Sequence, residues 1–205
     1  MCIRDSSNGA AVLHALNVLW NLGLDVRQLC ALGSSLGSDI PFSIMGQAKA
    51  NLELGLSKDR LAAHCALATG TGTELEPLSC GLKSYLLLTK PPIGVSTAEV
   101  YGGLDLDAIK IHPDAGEMLR ALHEKNYKKI QKNMVNVLEN FTLTRYPNVM
   151  YTKNKAAELL GEEAVLMSGS GPTIFGLCRS RTEAQQACEQ LKQYNKETFW
   201  TRTTY

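Results

Sequence analysis

One carboxylate has the type and the setting that suit phosphoryl transfer. Asp39 follows a Gly-Ser pair and precedes Ile-Pro-Phe, a pattern typical of a helix start. The helix dipole and free N–H groups hold a carboxylate ionised there, so Asp39 is a candidate base that accepts a proton from a hydroxyl attacking phosphorus. The other interpretation is an aspartate that only caps the helix.

A glycine turn near the C-terminus is the second candidate. Gly169, Ser170 and Gly171 lie between the apolar runs 164–167 and 174–178, which predicts strand, turn and strand. Glycine tolerates positive φ and lets the backbone approach a ligand closely. The alternative is a tight connection that binds nothing.

A third segment, Ser6-Ser7-Asn8, precedes a helix predicted over residues 8–22. Free N–H groups at a helix N-terminus bind phosphate, so this is a candidate phosphate site; the alternative is an ordinary N-cap. The four histidines have no metal-ligand spacing, and there is no GxxxxGK[ST] loop. The three segments together predict a phosphoryl-transfer site that is only partly present in the chain.

The elements that position these segments follow from periodicity and capping signals. The first helix has an apolar stripe, predicted to face the core, at Val12, Ala15, Leu16 and Leu19. Asp25 is predicted to begin a second helix that ends near Gly33, and a third begins around Ser38 to Pro41.

The second half of the chain predicts an α+β fold. A short strand over 85–88 precedes a helix that starts at the capping box Ser96 to Glu99. The remaining predicted elements are helices at 114–124, 127–140 and 152–160, strands at 164–168 and 173–178, a helix at 181–193 and a strand near 197–203. This order suits a sandwich with a mostly antiparallel sheet. We find no internal repeat and predict two domains, 1–80 and 81–205.

Composition limits the function classes. The chain has 205 residues, 44% of them hydrophobic, 20% charged, and a net charge of +1, which is typical of a soluble globular protein and not of a nucleic-acid binder. No apolar run approaches the roughly 20 residues that span a bilayer. The six cysteines form no CxxC pair, so we predict reduced thiols and a cytoplasmic location, without nucleic-acid or membrane partners.

In this order, the segments resemble the GHMP kinase family of small-molecule kinases. The Ser-Ser-Asn segment resembles the end of the family's ATP-binding loop, and 36–42 resembles the segment with the catalytic aspartate. Residues 168–173 resemble the C-terminal glycine motif, and 91–97 and 136–139 are similar to the second domain of the member that acts on a cytidyl diphosphate sugar alcohol.

This resemblance implies ATP-dependent phosphorylation of the 2-hydroxyl of 4-diphosphocytidyl-2-C-methyl-D-erythritol in non-mevalonate isoprenoid biosynthesis. It implies that Asp39 is the base. Ser6, Ser7 and Asn8 would contact ATP phosphates or Mg²⁺, and the turn Gly169-Ser170-Gly171 would shape the site near the phosphates. The implied fold is a remnant of the N-terminal domain (ribosomal protein S5 domain 2-like) followed by a ferredoxin-like C-terminal domain. A homodimer is compatible with it.

The chain departs from the family pattern in two places. About a hundred residues of the family's opening segment, with its lysine motif and the glycines before Ser6, have no counterpart, so we expect an N-terminally truncated sequence. Residues 47–63 are an insertion, in which the sequence around Lys49 echoes the missing lysine motif. The alternatives are therefore another GHMP small-molecule kinase, or a catalytically inactive fragment that binds a nucleotide or metabolite.

Overall fold

The computed structural model describes residues 3–79 and 81–203. They form two compact units, and the division falls between Gly81 and Leu82. Each unit has its own hydrophobic core, so each is described by itself. Within the described residues no helix is long and apolar enough to cross a membrane.

The first unit consists of helices and one hairpin. Its elements are α1 (Ile3–Leu19), α2 (Val26–Ser34), α3 (Ile40–Ala50), a short 3₁₀ helix (Leu52–Leu54), and the antiparallel strands β1 (Ala66–Thr69) and β2 (Glu74–Pro77). Asp25 begins α2 as predicted: its side chain accepts the N–H of Gln28, whose own side chain accepts the N–H of Asp25.

The start of α1 corrects a prediction. The helix begins at Ile3, so Ser6, Ser7 and Asn8 lie inside it and not before it. None of the residues from Ile3 to Asp5 is a glycine or a proline, so nothing stops the helix from extending backwards past the predicted caps. The backbone N–H groups of these three residues are therefore not those of the helix end.

The apolar stripe predicted to face the core in α1 is mostly exposed. Val12 is 56% exposed and Leu19 is 74% exposed. The buried face carries Ala10 and His14 instead, and Leu13 packs against the core of this unit. The prediction of the buried face was therefore wrong, because α1 has apolar residues on both sides and periodicity alone does not choose between them.

The first unit contains a short repeat that the sequence analysis missed. Residues 22–31 and 54–63 share the pattern Leu-Gly-Leu, four residues, Leu, one residue, Ala. Gly23 and Gly55 both have left-handed φ, +65° and +69°. Both copies pack against the same core, through Leu24 and Leu56. Only the first copy continues into a helix.

The second unit is built on a four-stranded sheet. In chain order its elements are β3 (Tyr85–Lys90), α4 (Thr97–Gly102), α5 (Ala115–His123), α6 (Tyr127–Lys132), α7 (Glu139–Arg145), α8 (Pro147–Leu160), β4 (Val165–Met167), β5 (Ile174–Cys178), α9 (Arg181–Leu191) and β6 (Glu197–Arg202). The strand order is β4-β5-β3-β6 and every pairing is antiparallel. This is the split β-α-β-β-α-β arrangement of ferredoxin-like folds, so the predicted α+β class is confirmed.

One predicted helix of this unit is broken in two. The helix expected over 127–140 ends at Lys132, and α7 begins only at Glu139. Asn133 terminates α6, because its N–H bonds the last carbonyls of that helix and its side chain bonds the Lys129 carbonyl. The residues between the two helices lie beside the turn that joins β4 to β5, where Asn136 makes its contacts.

Candidate functional site

Asp39 lies at the N-terminus of α3, as predicted. Its backbone is in the right-handed helical region, with φ −89° and ψ −9°, and its side chain makes no capping hydrogen bond. The residue is exposed. A capping aspartate normally accepts an N–H from the first turn, so the capping interpretation does not account for this side chain. Within residues 3–79 and 81–203 no capping bond holds the carboxylate, which is therefore available to a ligand.

The position of Asp39 is fixed by its neighbour Ile40. Ile40 is 2% exposed and sits between two glycines, Gly9 of α1 and Gly33 of α2. A Cβ on Gly9 would lie 3.1 Å from Ile40 Cδ1, and one on Gly33 would lie 2.8 Å from Ile40 Cγ2. The sequence had suggested that α2 ends at Gly33. The structure instead places Gly33 within α2, where it packs against Ile40.

The β1–β2 turn also approaches this segment. Gly72 has φ +87°, and a Cβ on it would lie 3.2 Å from the carbonyl oxygen of Ser38. Only glycine fits such a close backbone contact at positive φ. The start of α3 is thus flanked by α1, α2 and a glycine turn of the same unit.

The Ser-Ser-Asn segment of α1 has one buried and two exposed members. Ser7 and Asn8 are exposed, and Gln47 of α3 donates to the Ser7 carbonyl (2.8 Å) and hydroxyl (3.2 Å). Ser6 is fully buried, and its hydroxyl has no hydrogen-bond partner among the described residues. Ser7 and Asn8 can therefore reach a ligand from this helix, whereas Ser6 faces the interior.

His14, about two turns after Ser6 in α1, is a structural residue. It is 3% exposed, and its Nε2 lies 3.1 Å from the carbonyl oxygen of Ile44. Burial lowers the pKa of His14, and the Ile44 carbonyl opposes this in part. Burial therefore favours the neutral form of the imidazole, which links α1 to α3.

The predicted glycine turn lies in the second unit, between β4 and β5. Gly169 and Gly171 both have positive φ, +55° and +88°. A Cβ on Gly171 would lie 2.8 Å from Met167 Sδ, so no other residue fits there without a shift. The Gly171 N–H bonds the Ser168 carbonyl, and the Ser168 N–H bonds the Thr173 carbonyl. Gly169, Ser170 and Gly171 are thus held as one turn.

Side chains from the segment before and within α7 bind the carbonyls of this turn. Asn136 Nδ2 donates to the carbonyls of Met167 and Gly169, at 2.8 Å each. Thr142 Oγ1 donates to the Ser170 carbonyl at 3.2 Å. The structure therefore brings together two of the segments, 136–139 and 168–173, that the sequence had singled out separately.

Glu139 binds the last residue of β4, just before the same turn. Its Oε1 accepts the N–H of Met167 at 2.8 Å, and its Oε2 lies 2.5 Å from Lys153 Nζ of α8. Both side chains are largely buried, with 15% of Glu139 and 21% of Lys153 exposed. Met167 is therefore bound at both its N–H and its carbonyl, by Glu139 and Asn136.

The third segment, 91–97, reaches the turn through α4. Thr97 Oγ1 and Ser170 Oγ lie 3.0 Å apart. Glu99 of the same helix accepts a hydrogen bond from Tyr146 at 2.7 Å, and this bond raises the pKa of Tyr146. The hydroxyl pair places Thr97 at the edge of the turn, next to any ligand bound there.

Two backbone N–H groups of the turn are left available. No hydrogen bond to the N–H of Gly169 or Ser170 is found within residues 3–79 and 81–203. Adjacent backbone N–H groups near a positive-φ glycine form a concave site for anions. The sequence signal for the turn was its glycines; the supporting residues Asn136, Glu139 and Thr142 were missed as site residues, although 136–139 had been noted as family-like.

Comparisons with known proteins agree with this geometry. Residues 118–197 match the family described as GHMP kinases C terminal. The chain is 40% identical over 197 residues to the 4-diphosphocytidyl-2-C-methyl-D-erythritol kinase of Geobacillus kaustophilus, covering 96% of this chain and 61% of that protein. It is also 40% identical to the enzyme of the same name from Bacillus subtilis, covering 96% and 62%.

Solved structures show the same fold. A crystal structure of 4-(cytidine 5'-diphospho)-2C-methyl-D-erythritol kinase matches with a TM-score of 0.71 at 27% identity, over 96% of this chain and 63% of that one. A homoserine kinase from Cytophaga hutchinsonii matches in fold alone, with a TM-score of 0.66 at 18% identity, over 95% and 62%. The chain thus spans 61–62% of the length of these curated relatives.

Proposed function

We propose, on the premise that this chain belongs to the GHMP kinase family, that it acts in the ATP-dependent phosphorylation of a small-molecule alcohol. GHMP kinases use ATP as the phosphate donor. The proposed acceptor is the 2-hydroxyl of 4-diphosphocytidyl-2-C-methyl-D-erythritol, because relatives that match 96% of the chain are named for it. The observation that carries the proposal is the exposed, uncapped carboxylate of Asp39 at the start of α3.

Asp39 is proposed to accept the proton of the substrate hydroxyl as its oxygen attacks the γ-phosphorus. Phosphoryl transfer passes through a loose transition state, so the position of the carboxylate matters more than its base strength. Ile40, clamped between Gly9 and Gly33, supplies that position. Because Ile40 holds the adjacent backbone in place, the main chain of Asp39 loses little order on substrate binding.

The phosphate groups are proposed to bind at backbone and hydroxyl groups. In the second unit, the turn Gly169 to Gly171 offers phosphate oxygens two N–H groups that have no partner among the described residues. In the first unit, considered by itself, Ser7 and Asn8 offer exposed polar side chains. Mg²⁺ bound with ATP would neutralise part of the phosphate charge. No group of three or more acidic, histidine or cysteine residues that could hold a metal occurs in the part of the chain that the structure describes. Mg²⁺ usually takes only one or two protein ligands beside phosphate, which the side-chain oxygens of Ser7 or Asn8 would supply.

The test is a phosphorylation assay with ATP and 4-diphosphocytidyl-2-C-methyl-D-erythritol, in which ADP is measured and the product is identified by mass. Asp39→Asn keeps the shape of the side chain but removes the base, so we expect kcat to fall about a hundredfold or more. Asp25→Asn is the matched control: Asp25 also begins a helix, and asparagine caps as well as aspartate, so activity should be unchanged.

The outcomes separate the alternatives. A wild-type rate in Asp39→Asn would refute the role of this carboxylate. Failure of the unmodified chain to form ADP, with ATP binding retained, would favour a nucleotide-binding fragment. Activity on another alcohol only would favour a different GHMP kinase. A homodimer, a cytoplasmic location and the assignment of residues 1–80 and 81–205 to the N-terminal and C-terminal domains remain part of the proposal.

A further inference from the structure

The turn between β4 and β5 is fixed by side chains from another part of the chain as well as by its own backbone. Three acceptors, the carbonyls of Met167, Gly169 and Ser170, are bound by Asn136 and Thr142. Two backbone bonds also close the loop: the Gly171 N–H bonds the Ser168 carbonyl, and the Ser168 N–H bonds the Thr173 carbonyl. The conformation of the turn therefore depends on residues that lie about thirty positions earlier in the sequence.

Binding of the carbonyls controls where the N–H groups point. The carbonyl and the following N–H of one peptide unit point in opposite directions, because the unit is planar and trans. When Asn136 and Thr142 draw the carbonyls of Gly169 and Ser170 toward α7, the N–H groups of the same two peptides point away from it. The Gly169 carbonyl belongs to the peptide that carries the Ser170 N–H, which has no partner among the described residues.

Glu139 holds the end of β4, from which the turn starts. Its carboxylate binds the Met167 N–H and is itself held by Lys153. Asn136 is tied to the start of α7 by its Oδ1, which accepts the Leu138 N–H at 3.0 Å. Asn136 is thus bound both to the turn and to the start of α7, and Glu139 is bound both to Met167 and to Lys153 of α8, so neither can rotate without losing bonds on both sides.

We propose that Asn136 and Glu139 are positioning residues that hold the turn Gly169 to Gly171 in its anion-binding form, with the Ser170 N–H directed at a phosphate oxygen. They do not touch the anion; they act through the peptide planes of Met167 and Gly169. Thr142 adds the third bond. The inference rests on the proposed function only in naming the anion as a phosphate, and it is tested without ATP turnover.

The experiment follows the backbone amide signals of Gly169, Ser170 and Gly171 by NMR while inorganic triphosphate is added. In the wild type these three amides should shift and saturate. Asn136→Leu, similar in shape but without donors, should weaken the apparent affinity about tenfold or more, or about 1.4 kcal/mol. The control is Asn140→Leu: Asn140 is exposed, and within the described residues its side chain donates to the Val137 carbonyl and makes no hydrogen bond to the turn, so affinity should be unchanged.

A second variant keeps the inference falsifiable if Asn136→Leu does not fold. Thr142→Val is similar in shape and removes only the bond to the Ser170 carbonyl, so it should weaken triphosphate binding about threefold while the melting temperature changes little. A purely structural role predicts lower melting temperatures with unchanged affinity, which would overturn the proposal. If the amide signals of the turn in the wild type do not shift when triphosphate is added, the proposal is overturned as well. The proposed function would then still be tested independently by the phosphorylation assay.

Discussion

Removal of either member of the Lys153–Glu139 pair should destabilise the second unit, and removal of both should cost less than the sum. The two side chains are 21% and 15% exposed, between the cases of a surface pair and a buried one. Exposed pairs contribute about 0.2–1 kcal/mol, and breaking a buried pair costs about 3–5 kcal/mol. We therefore expect Lys153→Met to lower the free energy of unfolding by about 2–3 kcal/mol, because the Glu139 carboxylate keeps only its Met167 N–H.

Glu139→Gln should cost about 1–2 kcal/mol, since its amide oxygen can still accept the Met167 N–H but the charge is lost. In the double variant no unpaired Glu139 carboxylate remains, so the coupling energy of the Lys153–Glu139 double-mutant cycle should be about 1.5–2 kcal/mol. The control pair, Lys155–Glu158, lies on the same helix with 28% and 59% of its side chains exposed. Its coupling energy should be about 0.5 kcal/mol or less.

Urea unfolding followed by tryptophan fluorescence measures this cycle. The chain has two tryptophans, and Trp20 is 63% exposed in the first unit. In a Trp20→Phe background the signal comes from Trp200 of β6, which packs against the core of the second unit with Arg181 over its ring. A coupling energy no larger than that of the Lys155–Glu158 pair would refute the view that Lys153 holds Glu139 under the turn.

Three further results are expected. Gly103→Ala should destabilise the second unit by about 1–3 kcal/mol in thermal melts, because an added Cβ would overlap the ring of Phe141. Gly102→Ala is the control, since the space around Gly102 is open. Equal melting temperatures of the two variants would contradict the packing described. Because burial lowers the pKa of His14, the unfolded state binds the proton more readily than the folded state. The contribution of neutral His14 to stability should therefore be complete above about pH 6.5 and decrease as the pH falls below that value. Urea midpoints should show this decrease, and His14→Gln should abolish it. Leu19→Gln, at a position 74% exposed, should raise solubility in light-scattering assays without lowering the melting temperature; a lower melting temperature would show that this face is covered.

Local signals in the sequence predicted the elements well where the relevant contacts are local. The helix starts at Asp25 and Ser96 were confirmed, because a cap and the N–H that it binds lie within three residues. The strands before and after the glycine turn were also confirmed, since short continuous apolar runs beside the turn glycines mark them. The location of Asp39 at a helix start was confirmed for the same reason, whereas its catalytic role remains a prediction.

Tertiary contacts decided the cases that the sequence missed. The repeat in the first unit is an example: the first copy has Asp25 as a helix cap, but in the second copy the carboxylate of Asp59 binds the N–H of Val26 at 3.3 Å and that of Leu61 at 2.8 Å. The second copy therefore helps to cap the helix of the first and forms a turn itself. Nothing within either ten-residue segment distinguishes these two outcomes.

The break between α6 and α7 joins fold and site in the same way. A continuous helix over 127–140 would gain backbone hydrogen bonds, and no glycine or proline between Lys132 and Glu139 prevents it. The chain gives up those bonds, and Asn136 instead binds two carbonyls of the turn and the Leu138 N–H. Within a helix, the Asn136 side chain would project at a fixed angle from the axis, and its Oδ1 could not cap the N–H two residues later. These hydrogen bonds of Asn136 exist only when β4 and the turn are in place. The break between α6 and α7 therefore follows from the folded sheet and has no signal of its own in the sequence.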